Sequence, residues 1–222
     1  MLPGFLGWPK RLEKLTCLGR SRSGWSPIEL RDVWSALVPH LLSIQSVRIG
    51  SVTNPTLYSS MSGMLTGVDF TFFGALTFLS LSYWATGSGP GEGCLLAPHL
   101  HTFEWTFDAD DSRPLFLNHF AQEEEDFLRR LTEAAIERKV PLRNIDIVFT
   151  PAPTVKTQDE GIEYLGVMEA EFEYPWDRMD RLAHEMRLLG IALWYNKPSV
   201  SREQFETAVF ITQQSFAAVG AL

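Results

Sequence analysis

Five carboxylates stand in or beside strand-like stretches of the second half of the chain, where acidic side chains can hold metal ions. They are Glu104, Asp108, Asp146, Glu169 and Glu171. Paired metal ions on such residues stabilise the attacking and leaving oxygens of phosphoryl transfer. Such sites also need basic residues for the phosphates, and the sequence places none beside these carboxylates. A metal-dependent phosphoryl-transfer enzyme or nuclease is therefore an alternative, and an acidic binding surface is the preferred interpretation.

Two histidines form a second candidate metal site. The stretch Pro98-His99-Leu100-His101 resembles the His-hydrophobic-His motif of rolling-circle replication initiators. In that family the two histidines bind a divalent metal for a tyrosine nucleophile, so the resemblance implies His99 and His101 as metal ligands. The only downstream match is Tyr195 in a Tyr-x-Lys arrangement, whereas the family has Tyr-x-x-Lys. We therefore expect no nicking activity and keep the two histidines as a metal hypothesis only.

Motifs for other chemistry are missing from the sequence. The Gly-rich stretch at 87–93 lacks the GK[ST] that completes a phosphate-binding loop, and no G-x-S-x-G elbow presents a serine. Cys17 and Cys94 form no CxxC pair, which is typical of reduced thiols in a cytoplasmic protein. We expect no cofactor, and the balance favours a non-enzymatic protein.

Hydrophobic periodicity over residues 101–197 predicts strand, helix, strand, strand, helix, strand. The strands are expected at 101–108, 144–150, 162–174 and 191–195, and the helices start near Ser112 and Pro175. That order is typical of a split βαβ, ferredoxin-like unit. The predicted fold class is therefore α+β, with an antiparallel sheet.

The N-terminal part predicts a short strand at 15–18, a helix from Ser26 that Pro39 kinks or ends, and a strand at 46–52. Alternation around Gly74 and Ala75 predicts a β-hairpin at 70–84 rather than a membrane helix. The Gly-rich stretch suggests two portions, 1–97 and 98–222, although one continuous domain fits as well. The first portion is expected either to extend the sheet or to cover its open face.

Side chains alternate across a strand, so each strand of the second half has one apolar and one polar face. Phe103, Trp105 and Phe107 share the predicted core side, and Glu104 faces the opposite way. In a ferredoxin-like sheet the first and third strands are neighbours. Glu104 is therefore expected beside Glu169, Glu171 and Glu173 on an acidic open face.

The charge distribution limits which classes of partner are plausible. The chain has a net charge of −8, and almost all of the excess acid lies after residue 98. Phosphate binding needs clustered Lys and Arg, which argues against nucleic acid as the ligand. An acidic surface instead accelerates encounter with a basic protein.

These observations predict a cytoplasmic, acidic binding protein for a basic macromolecular partner, such as an immunity (toxin-neutralising) protein or an adaptor. No nucleic acid or membrane is expected to bind, and the oligomeric state is undetermined. A structural subunit of a phage or secretion assembly is a further alternative. The predicted partner-binding residues are Glu104, Asp108, Glu123, Glu124, Glu125, Asp146, Glu169, Glu171 and Glu173.

Overall fold

Six short strands form one sheet in which every neighbouring pair is parallel. The computed structural model describes residues 11–18, 30–50, 69–86, 91–107, 115–151 and 173–219. The strands are β1 Lys14–Cys17, β2 Ser46–Ile49, β3 Phe78–Ser82, β4 Thr102–Phe107, β5 Asn144–Phe149 and β6 Ala192–Tyr195. Their spatial order is the order of the sequence.

The helices of the described residues lie in the connections between strands and after the last one. They are α1 Leu30–Leu37, α2 Tyr83–Thr86, α3 Gln122–Glu137, α4 Pro175–Leu188 and α5 Arg202–Val219, with 3-10 turns at Val38–His40, Phe70–Phe72, Glu92–Leu95 and Leu117–His119. Parallel neighbours need such long crossovers, because a tight turn can join only antiparallel strands. The architecture is α/β.

The predicted antiparallel, ferredoxin-like topology is wrong. Both edges of β4 are occupied by parallel neighbours, β3 on one side and β5 on the other. The expected pairing of the first and third strands of a split βαβ unit is therefore excluded. Most of the predicted strand at 162–174 falls outside the described residues, and Glu173 and Tyr174, which are described, lie outside any strand.

The predicted hairpin at 70–84 is wrong as well. The side chain of Asp69 accepts hydrogen bonds from the backbone N–H and the hydroxyl of Thr71, at 2.9 and 2.6 Å. This capping turns Phe70–Phe72 into a 3-10 helix instead of a strand. Phe70 is consequently buried against Trp34, with 5.8 Å between the ring centroids.

Element positions agree well with the sequence patterns. The strands at 144–149 and 192–195 and the helix starting at Pro175 are confirmed, and Pro39 stands in the 3-10 turn that follows α1. Gly190, predicted to stop α4, adopts a φ of +80°, the left-handed conformation that glycine tolerates. The helix expected from Ser112 begins later, at Gln122.

The core lies between one face of the sheet and the helices. Alternate residues of every strand from β2 to β6 are buried there, including Phe103, Trp105 and Phe107 of β4, as the alternation predicted. Phe127 of α3 packs on Trp105 with ring centroids 4.7 Å apart, and Trp176 of α4 packs on Phe149 at 5.4 Å. The helices α3 and α4 therefore cover this face of the sheet.

Among the described residues, no helix is long and apolar enough to cross a membrane.

Candidate functional site

Side chains of the other sheet face, which we call the open face, stand in rows that cross the sheet. The strand register places Thr16, Arg48, Ser80, Glu104, Asp146 and Trp194 side by side, one from each strand from β1 to β6. Adjacent parallel strands lie about 4.8 Å apart, so neighbours in this row are within contact distance. We call this set the central row.

Arg48 and Glu104 form an ion pair across the intervening strand. The Arg48 guanidinium lies 3.1 Å from a Glu104 carboxylate oxygen, which also accepts a 2.7 Å hydrogen bond from the hydroxyl of Ser80. The guanidinium lies over the Phe78 ring, 5.5 Å from its centroid. Arg48 is thus held by an aromatic ring and a carboxylate together, and Ser80 is buried beneath the pair.

Asp146 is the second carboxylate of the central row and the register partner of Glu104. Partial burial, and then the negative charge of Glu104, raise the pKa of Asp146. Within the described part of the chain, no cation is paired with it. An ionised Asp146 therefore stands beside a like charge without compensation.

Trp194 ends the central row on the edge strand β6 and is 65% exposed. It also lines a groove of about 340 Å³ between β6 and α4, together with Asp180, His184 and Arg187. The hydroxyl of Tyr195 donates a hydrogen bond to Asp180, which fastens β6 to α4. An indole held at this edge offers a flat apolar surface to a partner.

Two of the acidic residues that begin α3 are buried and make their contacts within the protein. Glu124 is buried and accepts a 2.8 Å hydrogen bond from the backbone N–H of Ala121, and burial raises its pKa. Glu125 is fully buried among three arginines, described next. Of the three predicted binding residues in this run, Glu123 is the exposed one.

An ion-pair network joins α3 to α4 around Glu125. Its carboxylate oxygens lie 2.8 Å from Arg129, 3.0 Å from Arg178 and 2.6 Å from Arg181. Glu173, another predicted binding residue, is paired with Arg181 at 2.6 Å, and this hydrogen bond lowers the pKa of Glu173. These glutamates therefore already have cationic partners within the chain.

The remaining predicted site residues form no site within the described part of the chain. Asp108, Glu169 and Glu171 lie outside the described residues. His99 is exposed and His101 half-buried in the segment before β4. Within the described ranges, no group of three or more His, Cys, Asp or Glu side chains is arranged to hold a metal ion.

Sequence reasoning named neither Arg48 nor Trp194 as a site residue. The signal for Trp194 was present, because strand alternation places it opposite the buried Leu193. The ion pair of Arg48 with Glu104 had no such signal, since it depends on the pairing of strands distant in sequence.

Comparison with known proteins identifies no relative: no protein-family model, no curated protein and no solved structure matches this chain.

Proposed function

We propose that this chain is a non-enzymatic binding protein whose open face receives a basic protein partner. The observation that carries the proposal is that the helices α3 and α4, as far as the chain is described, pack on one face of an all-parallel sheet. Such sheets are normally buried by helices on both faces. Here the second face carries mainly polar and charged side chains, and those of Arg48, Glu104 and Asp146 are at least partly exposed to a partner.

The sequential strand order supports the same function. β1, β2 and β3 begin at residues 14, 46 and 78, an equal spacing, and the six described strands follow one another across the sheet in sequence order. Units stacked in this way form an extended surface that repeat proteins use for binding. The likeness to repeat proteins is one of architecture alone, and the side chains of the central row supply the chemistry.

Charge favours a basic partner. The chain carries a net charge of −8, and Asp146 brings to the open face a carboxylate with which none of the described residues pairs a cation. A protein with clustered arginine or lysine residues would be attracted and oriented by that charge. Immunity proteins and adaptor proteins both fit this description. Charge is the remaining support for these two classes, because the predicted ferredoxin-like fold is wrong.

An enzymatic alternative receives less support. Glu104 and Asp146 are neighbours, as a metal site would need, but Glu104 is already engaged by Arg48 and Ser80. A divalent ion in a phosphoryl-transfer site needs further oxygen ligands from the protein or the substrate. The described residues place no third carboxylate beside this pair.

A displayed library of random peptides, selected on the immobilised protein, tests the proposal. We expect enrichment of arginine- and lysine-rich peptides whose affinity falls with added salt. Thr106→Arg, on the open face of β4 two residues from Glu104, should weaken the selected peptides about tenfold, because it adds a bulky side chain that repels cations. Thr207→Arg adds the same charge on the exposed side of α5 and serves as the control.

Two results would contradict the proposal. One is enrichment of peptides without basic residues. The other is an affinity that Thr106→Arg and Thr207→Arg change equally, which would place binding away from the open face. Thermal unfolding of both variants checks that each is folded.

A further inference from the structure

We infer that Asp146 and Trp194 together form a receptor for one arginine side chain of the partner. The inference rests on the proposed function and specifies where on the open face recognition is concentrated. It is argued from a comparison of two places in the same sheet.

The first place shows how this sheet holds an arginine. Arg48 has its guanidinium over the Phe78 ring and against the Glu104 carboxylate, at 5.5 and 3.1 Å. A guanidinium is flat and weakly hydrated, so it stacks on an aromatic ring while its N–H groups donate to a carboxylate. The aromatic ring and the acid thus act together on one cation.

At the second place a ring and an acid stand on adjacent strands, and the acid has no cation paired with it among the described residues. Asp146 and Trp194 are register partners on β5 and β6, so their side chains leave the same face from adjacent strands. Trp194 is 65% exposed, and the described residues bring no cation to Asp146. An arginine arriving from a partner would find the same two contacts that Arg48 finds.

Electrostatics favours the binding of a cation beside Asp146. Asp146 lies between Glu104 and Trp194 in the central row, and its nearest charged neighbour in that row has the same sign. A bound guanidinium would compensate the second carboxylate, as Arg48 compensates the first. Tryptophan is the aromatic residue that attracts cations most strongly, and Trp and Arg are enriched among residues that dominate binding energy.

Titration with a tetra-arginine peptide, followed by the indole N–H resonances of the protein, tests the inference. Trp194→Phe identifies the Trp194 resonance. We expect that resonance to shift in a saturable way, and tetra-lysine to bind more weakly because an ammonium group does not stack as a plane.

The decisive comparison uses two variants that each remove one negative charge. Asp146→Asn should weaken tetra-arginine about fivefold or more, and Trp194→Ala should do the same. Glu137→Gln, at the exposed end of α3, should change the affinity by less than a factor of about two. Equal effects of Asp146→Asn and Glu137→Gln would overturn the inference, since they would show attraction by net charge alone.

The same variants separate this inference from the proposed function. If Thr106→Arg abolishes binding of the library peptides while Asp146→Asn and Trp194→Ala leave it unchanged, the open face binds the partner elsewhere and the receptor is wrong. If none of the three variants changes peptide affinity, both the arginine receptor and the proposed binding face are contradicted. A response to Mn²⁺ that Asp146→Asn abolishes, without any tetra-arginine binding, would replace the receptor with a cation site.

Discussion

The two faces of this sheet are built from the same strands, but one is apolar and buried whereas the other is mainly polar and partly exposed. On β4, Phe103, Trp105 and Phe107 point towards the helices and are buried, whereas Glu104 points away and joins the central row. The covered face is aromatic and closely packed. The open face is polar, and its contacts run from side chain to side chain along the row. Stability thus comes mainly from one face, which leaves the residues of the other available for recognition.

Acidic residues show the same division. Glu125, in the helix layer, is fully buried and paired with three arginines. Asp146, on the open face, is partly exposed and lacks a cation within the described residues. A carboxylate satisfied inside the protein stabilises its packing, whereas an unsatisfied one favours an external cation. Acidic composition alone does not distinguish these two roles.

The largest expected contrast between the faces is one of packing. Phe107 is buried and contacts Tyr83, Trp105, Phe120 and Phe149. Phe107→Ala should lower the free energy of unfolding by about 3–5 kcal/mol, through lost burial and a cavity. Its neighbour on the open face, Thr106→Ala, should stay within about 0.5 kcal/mol. Urea unfolding measures both, and equal losses would contradict the division of the sheet.

Removal of the network carboxylate should have the next largest effect. Glu125→Gln leaves Arg129, Arg178 and Arg181 without their shared buried partner, although each remains partly exposed to water. We expect a loss of about 2–3 kcal/mol in urea unfolding. Glu123→Gln, two residues earlier and exposed, should cost less than about 0.5 kcal/mol. A small effect of Glu125→Gln would mean that the network positions the helices without stabilising them.

Low pH should lower the free energy of unfolding, because His119, which lies just before α3, becomes protonated. Burial lowers the pKa of His119 from 6.5 to about 4, and its Nδ1 accepts a 2.9 Å hydrogen bond from the backbone N–H of Phe116. The unfolded chain therefore binds a proton first as pH falls. Stability should be complete above about pH 6.5 and fall by roughly 2 kcal/mol as pH approaches 4. His119→Gln should flatten this part of the pH profile, and an unchanged slope would assign it to other groups.

Asp146 should affect the pH dependence of stability in the opposite direction to His119, and its effect should be the smallest of those predicted here. Because the folded state raises its pKa, ionisation near neutral pH opposes folding, and this penalty disappears at acidic pH. Asp146→Asn should therefore stabilise the protein at pH 7 by about 0.5 kcal/mol, the scale of a like-charge pair across strands. Weaker tetra-arginine binding together with higher stability would show that the residue serves recognition. A loss of stability would instead assign it a structural role.

Periodicity located most elements of this protein but did not determine how they are arranged. The alternation in β4 and β5 placed their buried residues correctly, and the helix starting at Pro175 was evident from its first turn. The hairpin prediction failed because Asp69 caps a 3-10 turn, and alternation of a few residues cannot exclude such a local turn. The exposure of Trp194 was open to prediction, because this residue alternates with the buried Leu193.

The candidate site was predictable only in part. Glu104 and Asp146 were recognised as outward carboxylates, yet Glu104 was expected beside Glu169 and Glu171, on the assumption of an antiparallel sheet. The parallel pairing makes Asp146 its neighbour instead. The ion pair of Glu104 with Arg48 connects residues far apart in the chain, and no local pattern indicates it.

The sequence by itself determined where the strands and main helices lie and which side of each strand is apolar, because these properties depend on residues close together in the chain. Only the tertiary structure decided strand order and direction, and with them the central row. Strand pairing depends on contacts between distant segments and on the side to which each crossover turns. That arrangement placed Asp146 between Glu104 and Trp194, on the face opposite the aromatic residues that pack against α3 and α4.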